Sequence, residues 1–123
     1  MMAMGTFDDL VVFNLSYELA KRVFIITKTF PKEELFGLTD QIRRSSRSVC
    51  VNIVEAYRKK IYPNHFKSKL SDADCECSET IIWLRMSKDF NYLEESAFQE
   101  LTKGYQSIGK MLGKMIKIPE KFV

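Results

Sequence analysis

The sequence predicts an all-α protein folded as an antiparallel up-down-up-down four-helix bundle. Three observations predict it. Apolar residues recur at helical spacing along the whole chain, and no alternating strand pattern occurs. Only five Gly and three Pro punctuate 123 residues, which favours long uninterrupted helices. The segments between breaks run to about 20 residues with short connections, so sequential neighbours pack antiparallel. A hydrophobic content of 46% with 12% aromatic residues excludes a disordered chain, and the length fits one domain, residues 1–123, with a real core.

The first helix is expected from about residue 8 to 29. Leu10, Phe13, Tyr17, Ala20 and Phe24 share one side. Leu15, Leu19, Val23 and Ile26 widen the apolar arc to roughly 200°, too wide for a helix buried on one side only. Pro31 ends the segment, because it disfavours helical geometry at Phe30. The second helix is expected from about residue 39 to 60, with Gly37 breaking the chain before it and Thr39 as N-cap. Ile42, Ser46, Val49, Ile53 and Tyr57 fall on one face. Ser45, Ser46, Cys50 and Ala56 are small enough to let a neighbouring helix approach closely.

The third helix is expected from about residue 63 to 89, with Pro63 at its first position. Phe66, Leu70, Ala73, Cys77, Ile81 and Leu84 make its core stripe. Asn91 suits the left-handed residue that follows. The fourth is expected from about residue 94 to 117, started either by a capping box of Ser96 and Gln99 or earlier at Glu94. Glu94, Glu95 and Glu100 near its start, and Lys110, Lys114 and Lys117 near its end, suit the helix dipole. Pro119 stops it. Leu10, Phe24, Ile53, Leu70, Leu84 and Leu112 are expected in one core.

The formal net charge of +3 permits an acidic partner without demanding one. Cys50, Cys75 and Cys77 are an odd number, and the amino-terminal stretch has no basic and apolar signal pattern. A reduced, cytoplasmic protein is the expectation.

The features that carry chemistry are basic. Arg43, Arg44, Arg47 and Arg58 lie on the second helix away from Ile42 and Ile53, and Glu55 is the only acid between residues 41 and 60. Lys103, Lys110, Lys114 and Lys117 fall within an arc of roughly 60° on the fourth helix, opposite Leu101, Tyr105, Ile108 and Leu112. Cations fixed at helical spacing can meet successive phosphates, with a gain that comes largely from counterion release. A solvated face with internal ion pairs is the plainer reading. Asp72, Asp74, Glu76 and Glu79 on the third helix are available to neutralise the arginines.

A second apolar stripe on the third helix, Cys75, Ile82 and Met86 flanked by Trp83 and Phe90, lies opposite its core stripe. The second helix carries Val51 and Val54 off its core face. A helix apolar on two sides is buried on two sides, so these residues are read as a subunit interface.

No enzyme is expected. Ser45, Ser46, Ser48 and Ser78 have no His in helical reach, and the sole His65 lies in another segment. No phosphate-loop motif occurs. A single His argues against a carboxylate-bridged metal pair, and Cys75 and Cys77 point about 200° apart on a helix, too far to share a metal or a disulfide. No catalytic residue, metal or cofactor is assigned.

These residues resemble the 23S rRNA intervening-sequence proteins, small bacterial four-helix bundles sometimes labelled ribosomal proteins. The pattern is Phe7-x-x-Leu10 with Phe13, then Ala20, Phe30-Pro31, Glu34, Gly37-Leu38, Gln41-x-Arg43-Arg44, Ser48, Asn52-Ile53-x-Glu55, Phe66, Leu70, Ala73, Glu79 and Leu84. Ala56 stands where such proteins usually have Gly, and Cys75 and Glu76 replace a frequent Gly-Ser. The resemblance implies a closed homo-oligomer, a pentamer, and a link to RNA. A bundle of similar assembly, the accessory protein of diversity-generating retroelements, binds nucleic acid and a reverse transcriptase through basic surfaces. That analogy supplies no catalytic residue.

Two functions follow as expectations. One is a non-catalytic, oligomeric nucleic-acid-binding module, RNA foremost, with an unidentified protein partner also possible. The other is a homo-oligomeric scaffold whose basic face is neutralised by the third helix. Placement separates them: arginines continuous with the lysines favour the first, and arginines paired with Asp72, Glu76 or Glu79 favour the second.

Overall fold

A computed structural model describes residues 7–121. It contains four α-helices, α1 (Val11–Thr27), α2 (Leu38–Arg58), α3 (Pro63–Asp89) and α4 (Glu95–Lys117), with short 3-10 turns at Phe7–Asp9, Lys32–Glu34 and Pro119–Lys121. No strand occurs among the described residues. Among the described residues no helix is long and apolar enough to cross a membrane.

The helices pack in cyclic order: α1 on α2, α2 on α3, α3 on α4, and α4 back on α1. Side-chain pairs show their directions. Ser45 meets Thr80 at 2.8 Å near the start of α2 and Glu55 meets Lys69 at 3.1 Å near its end, so α2 and α3 run in opposite senses. Lys88 near the end of α3 reaches Glu95 at the start of α4 at 3.9 Å, while Asp74 lies beside Gly109. Arg22 late in α1 meets Glu100 early in α4 at 2.8 Å, while Val12 and Met115 line one shallow groove. Thr27 at the end of α1 meets Arg43 early in α2 at 2.8 Å, while Tyr17 and Val51 line one groove. Neighbours are thus antiparallel in all four pairs, and α2 and α4 sit diagonally.

The core is one cluster. Ile53, Leu70, Leu84 and Leu112 lie in it, as expected, and Leu10 packs half-buried against it. Phe24 does not: it is 40% exposed. The buried stripe of α1 is Val12, Ser16, Leu19, Val23 and Thr27, with Phe13 beside it. That stripe is rotated from the one through Tyr17 and Phe24, which instead lie along the edge facing α2 and remain exposed. The wide apolar arc hid which of its edges was central.

The ends of the helices explain the remaining differences. α3 begins at Pro63, and Asn91 has φ 67°, the left-handed conformation that lets the chain turn. The N-cap of α2 is Gly37 rather than Thr39, whose hydroxyl lies buried inside the helix without a partner among the described residues. Glu34 caps α2 instead. Its Oε1 accepts from the Leu38 N–H at 3.0 Å and its Oε2 from the Tyr92 hydroxyl at 3.0 Å, tying α2 to the α3–α4 turn. The hydrogen bond to Glu34 pushes the Tyr92 hydroxyl above its ordinary range. No capping box forms at Ser96, which lies inside α4; Glu94 is the N-cap and Gln99 donates to Glu95 at 2.7 Å.

Candidate nucleic-acid interface

The arginines of α2 divide: Arg43 turns into the bundle, while Arg44, Arg47 and Arg58 stay exposed. At 100° per residue, Arg43 and Arg44 turn to opposite flanks of α2. Arg43 faces α1 and is half-buried. Its Nε donates to the Thr27 hydroxyl at 2.8 Å, its Nη2 reaches the Phe24 carbonyl at 3.5 Å, and its guanidinium lies 4.7 Å from the Phe24 ring. Arg43 therefore joins α1 to α2, and much of its donor capacity is used inside the bundle.

Arg44 is exposed on the α3 flank, in the field of the acidic run. The Glu76 carboxyl there lies above the usual carboxylate range. Burial pushes it up most, with Glu79 and Asp72 adding to it, while the Ser48 hydroxyl and the Arg44 charge oppose the rise. Arg47 is exposed on the α1 side, at the rim of an apolar groove, and Arg58 is exposed at the end of α2. None of the four forms a salt bridge with Asp72, Glu76 or Glu79, or with any other described acid.

The lysines of α4 behave differently. Lys103, Lys110, Lys114 and Lys117 are all exposed, and none is in a salt bridge among the described residues. Spacings of seven, four and three keep them on one strip. Glu100, the acid nearest on α4, is held by Arg22 at 2.8 Å. Asp9 and Asp74 border the strip through the grooves that Lys114 and Lys110 line. Because α4 is diagonal to α2, this strip faces away from Arg44, Arg47 and Arg58. The expected basic residues thus form two surfaces, not one continuous face.

Of the seven residues read as an interface, Val51, Cys75, Ile82, Met86 and Phe90 are exposed. Val54 and Trp83 are half-buried against their own core, and the Trp83 Nε1 donates to Glu79 at 3.3 Å. Sequence reasoning missed the groove between α1 and α2, lined by Tyr17, Ala20, Phe24, Ile25, Cys50 and Val51 with Lys21 and Arg47 at its rim. The signal is the wide apolar arc of α1, which implies burial on more than one side. Cys50 and Cys77 are buried and Cys75 is exposed; burial pushes the Cys77 thiol up to about 12 and raises Cys50 as well. Of the polar positions named for the resemblance, Asn52 donates to the Ser48 carbonyl at 3.0 Å and Glu55 pairs with Lys69. Both order α2 and its contact with α3.

No curated protein matches the chain. A crystal structure of a protein of unknown function from the S23 ribosomal protein family of Bacteroides thetaiotaomicron is similar. Its TM-score is 0.79 at 30% identity, over 87% of this chain and 96% of that one. The family model described as 23S rRNA-intervening sequence protein matches residues 8–114. With a fold and a sequence pattern that agree across nearly the whole chain, the protein belongs to the 23S rRNA-intervening sequence protein family.

Proposed function

We propose that this protein is a non-catalytic homo-oligomeric module of the cytoplasm that binds nucleic acid, RNA foremost, chiefly through the lysine strip of α4. One observation carries the reading: four exposed lysines share a strip and have no salt bridge among the described residues. Held at helical spacing, such cations meet the phosphates of a backbone without reading bases. Arg44, Arg47 and Arg58 form a second, weaker basic surface; Arg43 contributes mainly to the bundle. Repetition of the strip around an oligomer raises avidity without new contacts, and the family's name links its members to rRNA.

The test is a titration of labelled structured and single-stranded RNA at about 50 mM salt, where phosphate contacts are strongest. The unmodified protein is expected to bind both with a steep salt dependence. Replacing Lys103, Lys110, Lys114 and Lys117 by Gln is expected to weaken binding at least ~10-fold for unrelated RNA sequences and to flatten the slope. Absence of binding to RNA and DNA alike at that salt defeats the reading.

The scaffold reading is favoured by a different observation: Arg43 is used by α1, and Arg44 lies in the field of Glu76. On that reading the basic residues hold the bundle together and assembly is the function. It becomes the account if no nucleic acid binds.

A further inference from the structure

The two longest stretches of the chain without an acid are residues 101–119 and 56–71. The first is the lysine strip of α4. The second joins α2 to α3 and carries Arg58, Lys59, Lys60, Lys67 and Lys69. Lys69 is taken by Glu55 at 3.1 Å, and the other four have no salt bridge among the described residues. Both stretches reach the same end of the bundle. The contacts Lys88–Glu95 and Asp74–Gly109 set α3 against α4, and on that pairing Phe66 stands level with Lys117. The contacts Ser45–Thr80 and Glu55–Lys69 bring Arg58 level with Lys67.

The turn has what the strip lacks. Between Lys103 and Lys117 the one aromatic side chain is Tyr105, which is buried. At the turn Tyr62 is 56% exposed and His65 is exposed, with the two rings edge to face at 6.0 Å between centroids. The Tyr62 backbone is fixed on both sides. Pro63 after it favours the extended conformation seen there. Its N–H donates to the Lys59 carbonyl at 2.9 Å, and its carbonyl accepts from the N–H of the buried Phe66 at 2.9 Å. A ring on a fixed backbone loses little freedom when something stacks on it.

We propose that the α2–α3 turn is a stacking site for an unpaired base of RNA, with Tyr62 as the platform and Arg58 and Lys67 beside it for the flanking phosphates. The inference rests on the nucleic-acid reading of the proposed function and adds a preference to it. Phosphate contacts on the strip carry no information about the bases. An aromatic face takes a base of any identity, provided that base is free of a duplex. A strand that follows the strip to its end arrives where the ring and its cations stand.

Two hairpin RNAs of equal phosphate number test this, one blunt and one with a single-stranded tail carrying 2-aminopurine. At about 50 mM salt the unmodified protein is expected to bind the tailed RNA more tightly and to quench its 2-aminopurine. Tyr62→Leu keeps apolar bulk and removes the aromatic face. It is expected to weaken binding of the tailed RNA about 10-fold and to abolish the quenching. Affinity for the blunt RNA and its salt slope are expected to stay as they were, and Tyr62→Phe is expected to behave like the unmodified protein. A photo-crosslink from 4-thiouridine in the tail to Tyr62 reads the same contact in the unmodified chain, whatever the variants do to folding. A protein that binds neither RNA nor DNA overturns the nucleic-acid reading and the stacking site with it. RNA binding that Tyr62→Leu leaves unchanged, or crosslinks confined to α4, overturns the stacking site alone. Ile61, 74% exposed beside Tyr62, supplies the remaining arm: sedimentation with phosphatidylserine–phosphatidylcholine vesicles that is lost in Ile61→Ser would assign the turn to a lipid surface and overturn the proposal.

Discussion

The arginines of α2 and the lysines of α4 look alike in sequence and differ in the fold. α2 lies between α1 and α3, and its consecutive arginines turn to opposite flanks, so each meets a different neighbour. The lysines of α4 recur at spacings that return to one strip, so the strip clears both neighbours. Adjacency along a helix separates side chains by about 100°, whereas spacings of three, four and seven bring them together. A cluster of cations in sequence is therefore a weaker sign of a binding surface than a dispersed set at helical spacing.

The sharpest way to break this contrast is at Arg43. Arg43→Ala removes a charged hydrogen bond to Thr27 and a guanidinium–ring contact with Phe24, and an expected ~1–3 kcal/mol of stability with them. Urea denaturation reads it. A loss as small as that of a surface lysine would show that Arg43 is solvated rather than structural.

A smaller effect sharpens the contrast at Arg44. Glu76 in the folded chain holds its proton above its ordinary range. The stability linked to that proton is complete below the unfolded carboxyl value and is lost as pH rises through the folded one. Arg44 opposes the upward shift, so Arg44→Gln is expected to move the Glu76 titration to still higher pH. Carboxyl NMR follows it, and an unmoved Glu76 would separate Arg44 from the acidic run. Glu76→Gln is expected to flatten the pH dependence of stability across the acid range. The smallest effect belongs to α4: Lys110→Ala is expected to change stability by less than about 0.5 kcal/mol, since no salt bridge among the described residues holds that side chain.

Much of the fold was legible because its signals are local. Pro63 and Asn91 mark the ends of α3 from within two residues of it. The core positions of α2, α3 and α4 fall on single narrow stripes, and Ile53, Leu70, Leu84 and Leu112 follow from them. The misses needed a neighbour. Glu34 caps α2 from a preceding turn, so Thr39 looked like the cap. Phe24 was placed in the core because the arc of α1 has two apolar edges, and only the position of α2 decides between them. The division of the basic residues into two surfaces depends on α2 and α4 being diagonal, which no wheel drawn for one helix contains.

The most direct test of the central claim compares salt slopes. One RNA is titrated from about 50 to 200 mM salt with three proteins: the unmodified chain, an Arg44→Gln/Arg47→Gln variant, and the variant with Gln at residues 103, 110, 114 and 117. The lysine variant is expected to lose about 0.7 of slope for each phosphate contact removed on a single strand, and the arginine variant clearly less. The reverse order would place the interface on α2, and a flat response from all three proteins would contradict nucleic-acid binding altogether.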